Sequence, residues 1–481
     1  MALAFISDLP VSASILLIIC LVAVCLFEAI NGFHDTANAV ATVIYTKTLT
    51  PNVAVVWSGL MNFLGVFFGG VVMGNILQAL GSTSSPDGGI AVAMGIVKLM
   101  PLNEMMATEL NATIALVLAV LLAAIIWNLG TWYFGIPSSS SHTMIGALLG
   151  AGFAFSTIYQ GAKVNWHKAG EIGSSLLISP LFGFSLAILL MFFLRSFVKG
   201  KAIFKEPDPK KPPPFWIRVI LVLTCTLVSF FHGSNDGQKG VGLLLVVMMA
   251  FLPLQFSFNP ELDQQKLKQN ALSIEVELNR MAAAGQNPEV FKVYAGKAHA
   301  LAEQLDTLNR KDKVSLLAAR KNVQELNKTL KSSLETGLIT DHEGRKIIKQ
   351  ATHELSQSYE FAPTWLIILI SICLGIGTMI GWKRIVVTIG EKIGKSHLTY
   401  AQGASAELCA AATIGVSTGL GLPVSTTHVL SSGIAGTMVA QGGVQNLQRK
   451  TVMNIALAWL LTLPVSFTLA AVLFYVLRVI I

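Results

Sequence analysis

Stretches of about 20 apolar residues recur along this chain and constrain its fold more than any other feature. They lie near residues 11–30, 53–73, 112–133, 173–194, 216–231, 363–381 and 452–478. Because a helix needs roughly 20 residues to cross about 30 Å of hydrocarbon, each stretch predicts a membrane span. Hydrophobic residues make up 53% of the chain and charged residues only 12%, which excludes an ordinary soluble domain. The sequence therefore predicts an all-α integral membrane protein, a polytopic helical bundle in the lipid bilayer.

The net charge of +8 does not indicate a nucleic-acid partner. Much of the basic excess lies in short loops beside the apolar stretches, which is the pattern of cytoplasmic loops in membrane proteins. The densest of these loops is also rich in proline, and we interpret residues 199–215 as a cytoplasmic linker between two halves of the protein. The five cysteines lack the spacing of a zinc site or a disulfide framework, and we expect no permanently bound cofactor.

Two motifs occur twice, in the same order in each half of the chain. NGFHDTANAV at residues 31–40 matches HGSNDGQKGV at 232–241, and GIPSSSSHTM at 135–144 matches GLPVSTTHVL at 421–430. Duplicated halves are common in secondary transporters, where the binding site lies between them. Loop charges place an odd number of crossings in each half, so we predict two inverted-topology repeats with broken or re-entrant helices and both termini outside.

The repeats and linker divide the chain into five segments. They are a first membrane repeat (1–198), the linker (199–215), the start of the second repeat (216–256), a soluble helical insert (257–361) and the remainder of the second repeat (362–481). The insert is polar, with apolar residues at helical spacing, and we predict a bundle or hairpin on the external side with no chemistry of its own. The same topology places Lys163, His167 and Lys168 outside, against the usual charge rule.

The first motif puts ionisable groups where hydrocarbon is expected. In a helix Asn31, Asp35 and Asn38 share one face, and His232, Asp236 and Lys239 repeat this arrangement in the second half. An acid at the centre of a bilayer costs roughly 2.5–3.5 kcal/mol on insertion scales, so each aspartate needs a partner, water or an ion. The alternative is that these groups only join helices by hydrogen bonds.

The second motif interrupts apolar helices with Gly-x-Pro, followed by clusters of hydroxyl side chains at residues 138–141 and 425–427. A helix that restarts after such a break presents free backbone N–H groups and the positive end of its dipole. Hydroxyl groups add neutral donors, which suit an anion that must be released again. The sequence therefore predicts an anion site, although the hydroxyls alone would equally well bond back to their own helices.

At these residues the chain resembles the inorganic phosphate transporter (PiT) family, whose hallmark is a duplicated Gly-Ala-Asn-Asp-Val-Ala-Asn-Ala-like motif. The counterparts here are GFHDTANA (32–39) and GSNDGQKG (233–240), and the likeness looks closest to bacterial low-affinity members of the cytoplasmic (inner) membrane. The resemblance implies cation-coupled uptake of phosphate, with arsenate carried as a mimic. It assigns the anion to Ser139, Ser140, Ser141, Ser425, Thr426 and Thr427. It assigns the coupling cation to Asp35 and Asp236, with Asn38 and Asn235 beside them.

Two departures from the family motif bear on the coupling ion. His34 replaces an asparagine before the first aspartate, and Lys239 replaces a later asparagine of the second motif. Both changes remove neutral oxygen ligands of the kind that Na⁺ needs and introduce groups that can carry a proton, which favours proton symport. Relatives are thought to carry a neutral complex of phosphate with Mg²⁺ or Ca²⁺, and Asp35 and Asp236 would face such a metal.

Other functions remain open at this level. A permease for sulfate or another oxyanion, a sodium-coupled phosphate symporter and an anion channel would all use hydroxyl-lined helix ends. An intramembrane hydrolase is disfavoured because Ser141 and His142 are adjacent, and adjacent helical residues do not face each other. We expect a multi-pass transporter and not an enzyme, and the oligomeric state, including a homo-oligomer, is left open.

Overall fold

The computed structural model describes residues 9–72, 89–198, 200–208, 211–381, 386 and 393–481. Helices dominate these residues, numbered here in chain order. They are α1 Val11–Tyr45, α2 Pro51–Phe67, α3 Ala91–Val97, α4 Leu102–Ala107, α5 Leu110–Tyr133, α6 Ser140–Ile158, α7 Trp166–Phe197, α8 Phe215–Phe251, α9 Pro253–Phe256, α10 Gln264–Ala283, α11 Pro288–Asp306, α12 Lys313–Glu335, α13 His342–Tyr359, α14 Thr364–Thr378, α15 Tyr400–Gly419, α16 Thr426–Gly442 and α17 Arg449–Ile480. The predicted all-α class is confirmed.

Seven helices in the described part of the chain are long and apolar enough to cross a membrane: α1, α2, α5, α6, α7, α8 and α17. The apolar stretch predicted near 363–381 forms α14, a helix of 15 residues that meets α13 at a bend of 68°. Helix α6 was not among the predicted spans, because its serines, histidine and glycines dilute the apolar signal. The predicted multi-pass helical bundle is nevertheless confirmed.

Both Gly-x-Pro motifs break the chain between two helices. Proline lacks a backbone N–H and disfavours helical geometry at the residue before it. Pro137 and Pro423 therefore disfavour continuation of the helix that precedes each of them. Gly135 and Gly421 take left-handed backbone angles, with φ of 65° and 68°, which end the preceding helices α5 and α15. The two breaks are therefore built alike, and each delivers the N-terminus of a new helix, α6 or α16.

The two halves repeat the same order of helices. Each half begins with a helix of 35 or 37 residues (α1, α8), contains one such break, and ends with a 32-residue helix that has a proline inside (α7, α17). Helix α6 packs on α17 of the other half, and α16 packs on α7. Likewise α1 packs on α14, and α8 on α2. The halves are thus interlocked around a shared centre.

The glycines of the first motif pair allow the central helices to approach closely. A Cβ atom at Gly32 would collide with the backbone of Leu374 and Thr378 in α14, and one at Gly233 would collide with the backbone of Asn62 in α2. Both glycines lie within continuous helix. These glycines therefore let the helix backbones approach closely, without unwinding of the helix.

The polar insert contributes helices α10 to α13, which pack around a separate apolar core. Of the apolar residues at helical spacing in α12, Val323, Leu326 and Leu330 are buried in it and Leu334 is half-buried. The insert contacts the membrane helices through Asn103, whose Nδ2 donates to Gln324 Oε1 at 2.8 Å, and through an ion pair of 2.8 Å between Lys98 and Glu360.

Candidate functional site

Helices α1 and α8 cross at the centre of the molecule and bring the two motif aspartates together. Asp35 is 2% exposed and Asp236 is fully buried. His232 lies between them, and one ligand atom from each of these three residues lies within 4.8 Å of the other two. The aspartates predicted from the repeat therefore form one cluster, with a histidine that was not predicted as a site residue.

The imidazole of His232 is held in one orientation. Asn62 Nδ2 donates to Thr378 Oγ1 at 2.9 Å, which turns Asn62 Oδ1 toward His232 Nδ1, 2.8 Å away. Because an amide oxygen only accepts, Nδ1 carries the hydrogen. His232 Nε2 then lies 3.8 Å from Asp35 Oδ2 and 3.7 Å from Asp236 Oδ2. The ring of His232 therefore points its Nε2 at both carboxylates.

The N-termini of α6 and α16 meet at Asp35. Ser140 Oγ donates a hydrogen bond to Asp35 Oδ2 at 2.9 Å, and Thr427 Oγ1 donates a short one to Asp35 Oδ1. These hydroxyls come from different halves of the chain and were both predicted as anion ligands. In this structure the Asp35 carboxylate occupies the position that an anion would take between them.

The remaining predicted hydroxyls differ in their roles. Ser139 and Ser425 are N-caps, and each accepts from the backbone N–H three residues later at 3.2 Å. Ser141 donates to Val424 O at 3.0 Å. Among the described residues, Thr426 Oγ1 is buried and has no hydrogen-bond partner. A buried hydroxyl without a partner is costly, and Thr426 Oγ1 remains able to donate a hydrogen bond.

Lys239 is a fixed cation beside the second aspartate. Its Nζ lies 2.7 Å from Asp236 Oδ1, donates to Val424 O at 2.9 Å and makes a short bond to Ser141 Oγ. The contacts with Val424 O and Ser141 Oγ are hydrogen bonds, and the contact with Asp236 is an ion pair. The side chain is buried, so Lys239 neutralises Asp236 without help from solvent.

His34 and Asn235 occupy equivalent positions in the two motifs, and each contacts residues at one of the helix breaks. His34 Nε2 lies 3.3 Å from Thr131 Oγ1 and 3.4 Å from Ser138 Oγ, at the break after α5. Asn235 donates to Thr418 Oγ1 at 2.9 Å and accepts from Val424 N at 3.2 Å, at the break after α15. Each side chain ties its central helix to one of the breaks.

Several residues at the site were missed by sequence reasoning. The rings of His142 and His428 lie 4.5 Å apart, and His428 stacks on Trp459 at 3.9 Å between ring centres. Gln238 of the second motif accepts from the backbone N–H of Val92 in α3 at 3.0 Å. The two histidines were visible as the last matched position of the second motif pair, whereas the Trp459 and Val92 contacts arise only in the folded chain.

Asn31 and Asn38, the two asparagines of the first motif, are not part of the Asp35 cluster as described. Asn31 donates to the buried Glu28 at 3.2 Å within α1. The side chain of Asn38, predicted to help bind the coupling cation, lies outside what the structure describes. Many of the hydrogen bonds at this centre join different helices, as the alternative of purely structural polar groups also predicts.

Comparison with known proteins identifies the family to which this chain belongs. The sequence profile of the phosphate transporter family (PHO4) matches residues 31–470. The chain is 38% identical to the low-affinity inorganic phosphate transporter PitA of Escherichia coli K12, over 98% of each chain. It is also 38% identical to the low-affinity inorganic phosphate transporter of Buchnera aphidicola from Acyrthosiphon pisum, over 96% of each chain.

A solved structure shares the fold. The sodium-dependent phosphate transporter aligns with a TM-score of 0.52 and 19% identity, covering 97% of this chain and all of the other. The resemblance to the PiT family and the prediction of a transporter rather than an enzyme are both confirmed by these comparisons. The chain belongs to the phosphate transporter family.

Proposed function

We propose that this phosphate transporter takes up inorganic phosphate by proton symport through alternating access. The observation that carries the proposal is the meeting of two helix N-termini, α6 and α16, at one carboxylate, Asp35. An anion between these ends would face the positive ends of both helix dipoles. The phosphate-binding and cation-coupling residues predicted from the sequence are part of this proposal, and their contacts support it.

Phosphate binds between the two helix ends. Ser140, Ser141, Thr426 and Thr427 supply hydroxyl donors there, and Thr426 Oγ1 has no partner within the described structure. Ser139 and Ser425 act as caps that hold the helix ends in place, as their contacts with His142 N and His428 N favour. Neutral donors bind phosphate less tightly than a cage of arginines would, which allows release.

Proton binding and phosphate binding are coupled through Asp35. While Asp35 is ionised, it holds Ser140 and Thr427 as hydrogen-bond donors. A proton in the Asp35–His232–Asp236 cluster weakens this hold and frees both hydroxyls for phosphate. Cation first and phosphate second is therefore the favoured order of binding.

Lys239 and His34 belong to this coupling group in different ways. The ion pair of Lys239 with Asp236 and its hydrogen bonds to Ser141 and Val424 support a role in holding the second aspartate. His34 ties α1 to the break after α5, so a change in its charge would reach the N-terminus of α6 directly. Both residues stand where the family motif has neutral asparagines.

A divalent metal is a cargo that this cluster would accept. Asp35 and Asp236 offer hard oxygen ligands, and phosphate oxygens would complete the shell of Mg²⁺ or Ca²⁺. His232 Nε2 is a softer third ligand. Such a metal would travel with phosphate as a complex and would not be a resident cofactor. Arsenate, which has the same shape and charge, would follow the same route.

The interlocked halves support inverted repeats. Exchange of packing partners, with α6 on α17 and α16 on α7, is what a pseudo-two-fold axis produces. We propose that the chain divides at 1–198, 199–215, 216–256, 257–361 and 362–481. We also propose a bacterial inner-membrane location and an insert on the external side. Lys163 lies against the insert, so both fall on the same side, as the loop count requires.

Uptake of radiolabelled phosphate into proteoliposomes tests the proposal. In sodium-free buffer, the parent protein should accumulate phosphate only with an inward proton gradient, and Asp35→Asn should abolish accumulation. Equal uptake with and without the gradient would indicate a channel, and a requirement for sodium at fixed pH would indicate a sodium symporter. Stronger competition by sulfate than by arsenate would indicate a general oxyanion permease.

A further inference from the structure

A cavity of about 610 Å³ lies between the insert and the membrane helices, away from the Asp35 cluster. Its floor is formed by the end of α3 and by α4, and its roof by α12 and the end of α13. The volume equals that of about 20 water molecules at about 30 Å³ each. The cavity can therefore hold an ion of phosphate size together with its hydration shell.

The lining of this cavity carries an excess of positive charge. Its cations are Lys98, Lys163, Arg320, Lys328 and Lys331, and its acids are Glu104, Glu335 and Glu360. Lys98 and Glu360 form an ion pair of 2.8 Å. Four cations and two acids remain, a net charge of +2, so the cavity favours an anion.

Arg320 is the buried member of this set. Its side chain is 1% exposed, and its guanidinium donates a short bond to Ser257 O and lies 5.8 Å from the ring centre of Tyr359. Burial lowers the pKa of Arg320 to about 10, so it stays charged at neutral pH. Its Nε has no hydrogen-bond partner in the described part of the chain. A buried cation with a spare donor on a cavity wall is a feature of an anion site.

Helix α3 joins this cavity to the transport site. Met94, Val97 and Lys98, near its C-terminal end, line the cavity. At its N-terminal end, Val92 N–H donates to Gln238 of the second motif at 3.0 Å. Ala91 also lies against Gly421 at the second break, where an added Cβ would meet Ala91 Cβ at 2.9 Å. A shift of α3 would therefore reach both the motif and the break.

We propose that this cavity is a second, regulatory site for a phosphate-bearing anion, and that its occupancy acts on the transport site through α3. The phosphate group is either inorganic phosphate or the headgroup of an anionic lipid. The lysines and Arg320 bind the phosphate group in both cases, and Met94, Met100 and Leu102 offer an apolar wall for a lipid chain.

Equilibrium binding to the purified full-length protein tests the site. The probes are inorganic phosphate and dihexanoyl phosphatidic acid, with dihexanoyl phosphatidylcholine as the uncharged comparison. The cavity variant is Lys163→Gln with Lys328→Gln, and the matched control is Lys292→Gln with Lys297→Gln, because all four lysines are exposed on the surface. The transport site is unaltered in both variants.

We expect one probe to bind the cavity variant about tenfold or more weakly, as the loss of charge-assisted hydrogen bonds predicts, with no change in the control. Inorganic phosphate as that probe would identify a free anion, and phosphatidic acid a lipid. Equal binding of both probes to the parent and the cavity variant would overturn the proposal. Loss of phosphate binding at the Asp35 cluster, with binding in the cavity retained, would contradict the proposed transport site but not the cavity site. The two proposals therefore fail separately.

Uptake kinetics test the link through α3. In proteoliposomes that contain the effective probe, the KM for phosphate uptake should change more than threefold in the cavity variant and stay constant in the control. Loss of probe binding without a change in KM would show that the cavity does not act on transport.

Discussion

Replacement of Asp35 by asparagine should strengthen phosphate binding while it abolishes accumulation. In this structure Asp35 accepts from Ser140 Oγ at 2.9 Å and from Thr427 Oγ1. Hydrogen bonds to an ionised group contribute about 1.5–3 kcal/mol each, against about 0.5–1.5 for neutral pairs. Two such bonds make the ionised carboxylate a stronger competitor than an amide by about 2–3 kcal/mol. Phosphate should therefore bind Asp35→Asn about 30- to 160-fold more tightly at neutral pH.

The assay is equilibrium binding of radiolabelled phosphate to purified protein in detergent between pH 5.5 and 8. The ratio of affinities, variant to parent, should be smaller at pH 5.5 than at pH 8, because proton binding to the cluster of the parent is the step that we propose frees Ser140 and Thr427. The exposed insert variant Lys297→Gln serves as the control for handling and folding. Loss of phosphate binding by Asp35→Asn at every pH would refute the reasoning, because it would make the carboxylate a required ligand, through a cation, and not a competitor.

Three further predictions concern single contacts. Lys239→Met should lower the free energy of unfolding in a denaturant titration by about 3–5 kcal/mol, because it leaves Asp236 buried without its cation. Adding Asp236→Leu should recover most of that loss, and no recovery would contradict the pairing. Gly233→Ala should destabilise the protein by about 1–3 kcal/mol in the same titration, since the new Cβ meets the backbone of Asn62. Gly130→Ala, where nothing lies within 4 Å, is its control, and equal effects would contradict close packing at Gly233. Thr426→Val should weaken phosphate binding about tenfold at unchanged stability, because its hydroxyl has no partner in the described residues; unchanged affinity would remove Thr426 from the site.

Local patterns in the sequence predict much of the fold and the central residues. Apolar stretches near 20 residues long indicate spans because the bilayer has a fixed thickness. Gly-x-Pro indicates a helix break for reasons of backbone geometry alone, and both breaks lie where the motif places them. The duplication pairs Asp35 with Asp236 in sequence, and the structure places both carboxylates in one cluster.

Other features depend on contacts between distant parts of the chain and were not predictable. His232 matters because Asn62 and Thr378, far apart in sequence, orient its ring. Lys239 was predicted to belong to the coupling group, but its contacts with Ser141 and Val424 arise only in the folded chain. The insert was expected to lack chemistry, and its basic cavity exists only where α12 faces α3 and α4.

The most direct test of the account is the position of a bound tetrahedral oxyanion in an experimental structure, located by the anomalous scattering of arsenate. The account predicts a peak between the N-termini of α6 and α16, within hydrogen-bond distance of Ser140, Thr426 and Thr427, with Asp35 turned away from those hydroxyls. A peak elsewhere, with Asp35 still bonded to Ser140 and Thr427, would contradict the claim that the two helix ends bind the transported anion.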